Sequence, residues 1–130
     1  MYLLDTNTLI YFFRGQGKVA EHLLSQAPSE IAVPSVGVFE IEVGIAKSSK
    51  PTKRRRQFDE LLSVVGVLPL DRAAAVQAAH VRSVLEKLGR PIGPLDTLIA
   101  GTALANKATL VTHNTREFSR ISKLDVEDWY

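Results

Sequence analysis

Short, wholly apolar runs alternate along this chain with longer segments in which apolar residues recur every three or four positions. Tyr2-Leu3-Leu4 is one such run, and Asp5-Thr6-Asn7, all helix-capping types, follows it at once. The periodic Leu9, Ile10, Phe12 and Phe13 come next, so a buried strand turning into a helix is predicted here. Gly15 and Gly17 end that helix, and a second spans Val19 to Leu24. Ile31-Ala32-Val33 predicts a strand stopped by Pro34, with Ser35 as the N-cap of a helix running to Lys47. Ser48 to Thr52 reads as a polar connection, Lys53 to Val65 as a helix and Val67-Leu68 as a third strand. Asp71 caps a long helix to Leu88, which the loop Gly89-Arg90-Pro91-Ile92-Gly93-Pro94 must end, since proline and glycine do not continue a helix. Leu95 to Asn106 is helical, Thr109 to Thr112 a strand, Asn114 opens a last turn, and a short strand falls near Leu124 to Val126.

Strands that are apolar on both faces and alternate with helices predict a parallel sheet covered on two sides, an α/β/α sandwich. With 130 residues, 45% of them hydrophobic, the chain can bury one real core, so residues 1–130 are expected to form a single domain. In open sheets of this kind ligands bind beyond the carboxyl ends of the strands. Asp5 and Asn114 both fall at such ends.

Composition narrows the chemistry. The absence of cysteine excludes disulfides and thiolate metal sites. No apolar run reaches the about 18 residues of a membrane span, and the start MYLLDTN lacks the basic region of a signal peptide, so a cytoplasmic protein away from the membrane is expected. The formal net charge is +2. If several acids are gathered in one pocket, the remaining surface is distinctly basic, which suits a polyanionic substrate.

Four polar residues, Asp5, Glu40, Asp96 and Asn114, stand at strand ends, helix starts or small-residue helix faces, spread over the chain. Acids that converge without a basic partner repel one another, and a divalent cation is the common remedy. On the helix from Ser35, a turn of about 100° per residue separates Glu40 from Glu42 by about 160°, so only one can enter a shared site. Glu40 shares its face with Gly37 and Gly44, where missing side chains leave room, and is the expected member. Asp96 lies in a helix's first turn, and Asn114-Thr115-Arg116-Glu117 has the spacing of a capping box. Thr6, Asn7 and Thr112 are suited to orient the carboxylates by hydrogen bonds. Asp71 is expected to be a structural cap. His113 offers a base, a stacking ring, or simply a polar strand end. The run Lys47, Lys50, Lys53, Arg54, Arg55 and Arg56 contains no acid and is expected to grip phosphates. Val38, Ile41 and Ile45 form a second apolar stripe on the Ser35 helix, expected to pack on a partner subunit or another protein.

Together, Leu3-Leu4-Asp5-Thr6-Asn7, Glu40 with Gly44, the stretch Gly89 to Ala100 around Asp96, and Val111-Thr112-His113-Asn114-Thr115-Arg116-Glu117-Phe118 resemble a PIN-domain ribonuclease of the VapC toxin type. The resemblance runs from near residue 1 to Trp129. It implies a Mg²⁺-dependent endoribonuclease, with Mn²⁺ as a substitute, in which Asp5, Glu40 and Asp96 are the metal ligands. It further implies a homodimer silenced by a VapB-like antitoxin, and a structured RNA, tRNA foremost, as the substrate. Many relatives carry Asp where this chain has Asn114, a departure that bears on whether a second metal is held.

Two other classes compete. A haloacid-dehalogenase-like phosphatase using Asp5 as nucleophile would want an Asp two residues later, where this chain has Asn7. A non-catalytic RNA- or protein-binding module would use the basic run and have no need of aligned acids.

Overall fold

A computed structural model describes residues 1–130. Its strands are β1 (Tyr2–Leu4), β2 (Ile31–Pro34), β3 (Gly66–Leu68), β4 (Thr109–Val111) and β5 (Val126–Glu127). All neighbours pair in parallel, in the order β3-β2-β1-β4-β5. The helices are α1 (Thr6–Arg14), α2 (Val19–Leu24), α3 (Ser35–Lys47), α4 (Pro51–Leu62), α5 (Arg72–Lys87), α6 (Pro94–Ala105) and α7 (Thr115–Phe118).

Successive strand side chains point to opposite faces, and here both faces are buried. Leu4, Val33 and Val111 face one core with Leu9 of α1, Val19 and Leu23 of α2, Ile41 and Ile45 of α3, and Phe58 and Leu61 of α4. Leu3, Ala32 and Leu110 face the other, with Val81 and Leu85 of α5, Ile99, Ala100 and Ala103 of α6, and Phe118 of α7. This is the expected α/β/α sandwich. Gly101 sets how closely α5 and α6 approach: a Cβ there would lie 2.6 Å from the Ala74 carbonyl oxygen and from Ala78. No helix is long and apolar enough to cross a membrane.

Three local expectations need correction. Ser35 is the first residue of α3 rather than its cap, because Pro34 holds the extended cap conformation; the Ser35 hydroxyl instead accepts the backbone N–H of Leu70 at 3.0 Å. Helix α4 begins at Pro51 and ends at Leu62, because proline is at home in a first helical turn where its missing N–H costs nothing. The stripe of Val38, Ile41 and Ile45 packs into the chain's own core, with Ile41 and Ile45 buried. The apolar residues that α3 leaves exposed are Phe39 and Val43.

Candidate functional site

The sheet order decides where the acids meet. From β1 the chain steps outward to β2 and β3, then crosses back to place β4 on the other side of β1. The strand order reverses at β1 and β4, and such switch points open a crevice at the carboxyl edge. Asp5 leaves β1 at that edge, its N–H donating to the Val111 carbonyl at the end of β4 at 3.1 Å. Helix α6 leads into β4 and runs back against it, so its first turn, with Asp96, returns to the same edge. Helices α3 and α7 start from the ends of β2 and β4 and bring Glu40 and Asn114 alongside.

Asp5 is buried and does two jobs. One carboxylate oxygen accepts the Thr8 N–H at 2.8 Å, capping α1. Burial pushes its pKa up, hydrogen bonds from Thr112 and Thr8 pull it down, and the charge of Glu40 pushes it up again. Thr112 is buried; its hydroxyl accepts the N–H of Asn114 at 3.0 Å. The Thr6 hydroxyl donates to Glu40 Oε1 at 2.7 Å, and Gly37 lies beside it, where a Cβ would stand 3.3 Å from the Pro34 ring. Glu42, by contrast, takes both guanidinium nitrogens of Arg55, one of them at 2.6 Å. Asn7 is exposed at the start of α1 and makes no hydrogen bond to the acids.

Asp96 is half-buried, and its pKa is raised to about 6 by burial and then by the charges of Asp5, Glu40 and Glu117. None of these four acids has a Lys, Arg or His partner in an ion pair. Glu117 is the member the sequence expectation missed. The capping box does not form: the Asn114 side chain accepts no backbone N–H of α7, and its amide Nδ2 donates instead to Glu117 Oε2 at 3.0 Å. Asn114 thus holds the carboxylate of Glu117 in place. The signal in the sequence is the Asn114-Thr115-Arg116-Glu117 spacing, which sets an acid one helical turn from an amide.

The acids repel one another, yet no three stand close enough to chelate one ion directly. Hard oxygen donors with no cationic partner suit a hard divalent cation. Magnesium retains several waters and is bound through only one or two carboxylates, so an open set of this kind fits it better than a closed cage would.

The other singled-out residues divide clearly. Lys47, Lys50, Lys53 and Arg56 are exposed, and Arg54 bonds only the Gln57 side-chain oxygen at 3.0 Å. Arg55 is committed to Glu42 and Asp59 and is not free for phosphate. His113 Nδ1 lies 2.9 Å from Asp128, and its ring stacks on Tyr130 at 4.2 Å, so it braces the C-terminal segment rather than joining the acids. Asp71 accepts the Ala74 N–H at 2.9 Å, a structural cap of α5.

A sheet with this order, and acids gathered at its switch point, define a nuclease-like α/β class, and the chain belongs to the PIN domain family, whose profile matches residues 2–124. It is similar to the tRNA(fMet)-specific endonuclease VapC of Shigella flexneri, 34% identical over 98% of this chain and 97% of the relative. It is likewise similar to ribonuclease VapC2 of Rickettsia felis, 33% identical over 99% of this chain and 98% of the relative. Its structure superposes on that of VapBC2 from Rickettsia felis bound to a promoter DNA fragment with a TM-score of 0.92 at 32% identity, covering 99% and 98% of the two chains. DNA-bound VapBC from Salmonella typhimurium matches with the same TM-score and identity.

Proposed function

We propose that this protein is a metal-dependent endoribonuclease toxin that hydrolyses structured RNA, tRNA foremost, and is neutralised by a VapB-like antitoxin. The observation that carries the reading is the set of Asp5, Glu40, Asp96 and Glu117, mutually repelling and without a cationic partner at the carboxyl edge of β1 and β4. Relatives named as ribonucleases, and VapBC structures of the same fold, support it over the whole chain.

Asp5, Glu40 and Asp96 are the residues that would hold Mg²⁺ or Mn²⁺, one or two directly and the others through its waters, with Glu117 as the added acid. A bound divalent ion supplies Lewis-acid polarisation of the phosphodiester and a water of lowered pKa. The chain's own part is to position. Thr112 and the Thr8 N–H fix the Asp5 carboxylate, Thr6 fixes Glu40, and Asn114 fixes Glu117. Attack by water on phosphorus leaves 5′-phosphate and 3′-hydroxyl ends, and the RNA 2′-hydroxyl takes no part. Lys47, Lys50, Lys53, Arg54 and Arg56 lie on the surface beside α3 and α4, where they attract the backbone phosphates.

The deciding experiment incubates total cellular RNA with the protein in Mg²⁺ and in EDTA and sequences the new ends. Discrete cuts in tRNA, lost in EDTA and lost in Asp5→Asn while the variant keeps its fold, are expected. Cleavage that persists in Asp5→Asn would defeat the proposal, as would ends carrying a 2′,3′-cyclic phosphate.

A further inference from the structure

Next to the acids, between α1, α3 and the start of α4, lies a cavity of about 390 Å³. That is within the range of roughly 300–1,000 Å³ that holds small ligands. Glu40 is in its wall, so the cavity shares one acid with the site. Its apolar lining is Ile10, Phe13, Ile41 and Ile45, while Arg14 and Arg54 stand in its wall. Gly44 keeps it clear, because a side chain at that position would meet nothing within 4 Å.

The two arginines are unneutralised. Neither forms an ion pair with a carboxylate, in contrast to Arg55 one position along. A peptide filling this slot would have to bring its own carboxylates to both guanidinium groups. A nucleotide brings a flat apolar base and an anionic phosphate in one unit, and proteins that read RNA sequence take unstacked bases of loops into such slots. Guanidinium groups suit the phosphates by geometry as well as charge.

We propose that the cavity between Phe13, Gly44 and Arg54 is a nucleotide subsite, which receives an unstacked base of the RNA strand beside the scissile phosphate and holds the adjoining phosphate on Arg14 and Arg54. The proposal rests on the ribonuclease reading of the acids and adds to it a place where base identity is read.

Two variants test it from different sides. Gly44→Leu fills the slot from an open helix position, and Arg14→Glu reverses one charge at its wall. Steady-state cleavage of RNA stem-loops, tRNA stem-loops included, that differ only in the base beside the cut is measured with Mg²⁺ for wild type and both variants, with thermal unfolding as the check on folding. Loss of one stacked base corresponds to about tenfold or more, so KM is expected to rise by that factor in Gly44→Leu and to rise with a shallower salt dependence in Arg14→Glu, with kcat nearly unchanged in both. The preference among flanking bases is expected to flatten in Gly44→Leu. Unchanged KM and unchanged base preference in a folded variant, while wild type cleaves, overturn the subsite alone. Loss of antitoxin binding in Gly44→Leu without any change toward RNA also overturns it and makes the slot a protein-docking groove. Should Gly44→Leu unfold, Arg14→Glu decides by the same measurements. A wild-type protein that cleaves none of these RNAs or total RNA defeats the ribonuclease reading instead.

Discussion

At Asp96, burial and three neighbouring carboxylates all act in one direction, raising its pKa to about 6 from an ordinary 3.8. An acid whose pKa is higher in the folded state binds its proton more tightly there, so its ionised form opposes folding. The opposition is absent below pH 3.8, grows as pH climbs toward about 6, and is complete above that. Asp96→Asn is therefore expected to stabilise the metal-free protein at neutral pH. After allowance for solvent screening at this half-exposed group, the gain is on the order of 1–2 kcal/mol, fading toward pH 4. Thermal unfolding in EDTA across that pH range measures it, and a variant no more stable than wild type at neutral pH would show that the acids do not repel. Added Mg²⁺ is expected to raise the Tm of wild type more than that of the variant. Glu117 gives a second prediction at this scale. Losing an outer hydrogen-bond partner of a metal-site residue typically costs about 10–100-fold in activity, so Asn114→Ala should reduce kcat/KM by that order, and Glu117→Gln by at least as much. Asp5, Glu40 and Asp96 were legible because each has a local reason to stand at a strand end or on a cleared helix face. Glu117 was hidden because the three-residue spacing that lets a glutamate reach back to a cap also lets the Asn114 amide catch it.

The elements were legible where one kind of signal acted alone. The strands followed from continuous apolar runs, and α5 from its cap and period, since both faces of the sheet are buried and Asp71 binds the Ala74 N–H. Helix α4 came out shifted because the polar stretch before it conceals a proline placed as a helix start. The assignment of the Val38, Ile41 and Ile45 stripe to a partner failed for another reason: a helix lying between the sheet and α4 needs two apolar sides inside one chain. Packing between elements predicts opposite effects at two helical glycines. Gly101→Ala must push its Cβ against backbone and Ala78 of α5, and a cost on the order of 1–3 kcal/mol is expected. Gly44→Ala meets nothing and removes backbone freedom from α3, so a gain of about 0.5–1 kcal/mol is expected. Urea unfolding of the two variants measures both, and equal effects would show that α5 and α6 are not in such close contact. The tie between α3 and α4 is weaker than its geometry suggests: the Glu42–Arg55 pair is substantially exposed, so Arg55→Ala should leave stability nearly unchanged.

On the scale of the whole molecule, the central strands bury both faces of the sheet, while apolar residues stay exposed on α3 and around the edge strand β3. Phe39 and Val43 project from α3, one helical turn apart, with Phe39 57% exposed and Val43 37%. Val67 of the edge strand β3 and Val64 just before it are also exposed, as is Leu70, whose N–H binds Ser35 at the start of α3. Singly exposed apolar residues are ordinary, but Phe39 and Val43 share one face of α3, and contact with another protein is predicted there. The homodimer implied by the family resemblance would be one way to cover it. At the micromolar concentrations of a sizing experiment, wild type is expected to run as a dimer and Phe39→Asp as a monomer. A charge buried without a partner in such an interface costs several kcal/mol, enough to dissociate a moderate dimer. Analytical ultracentrifugation of both proteins, with cleavage assayed in parallel, separates assembly from catalysis, because Phe39 lies outside the acidic set. If the two proteins share one mass, α3 carries no dimer contact through Phe39, and the flank is left to the antitoxin.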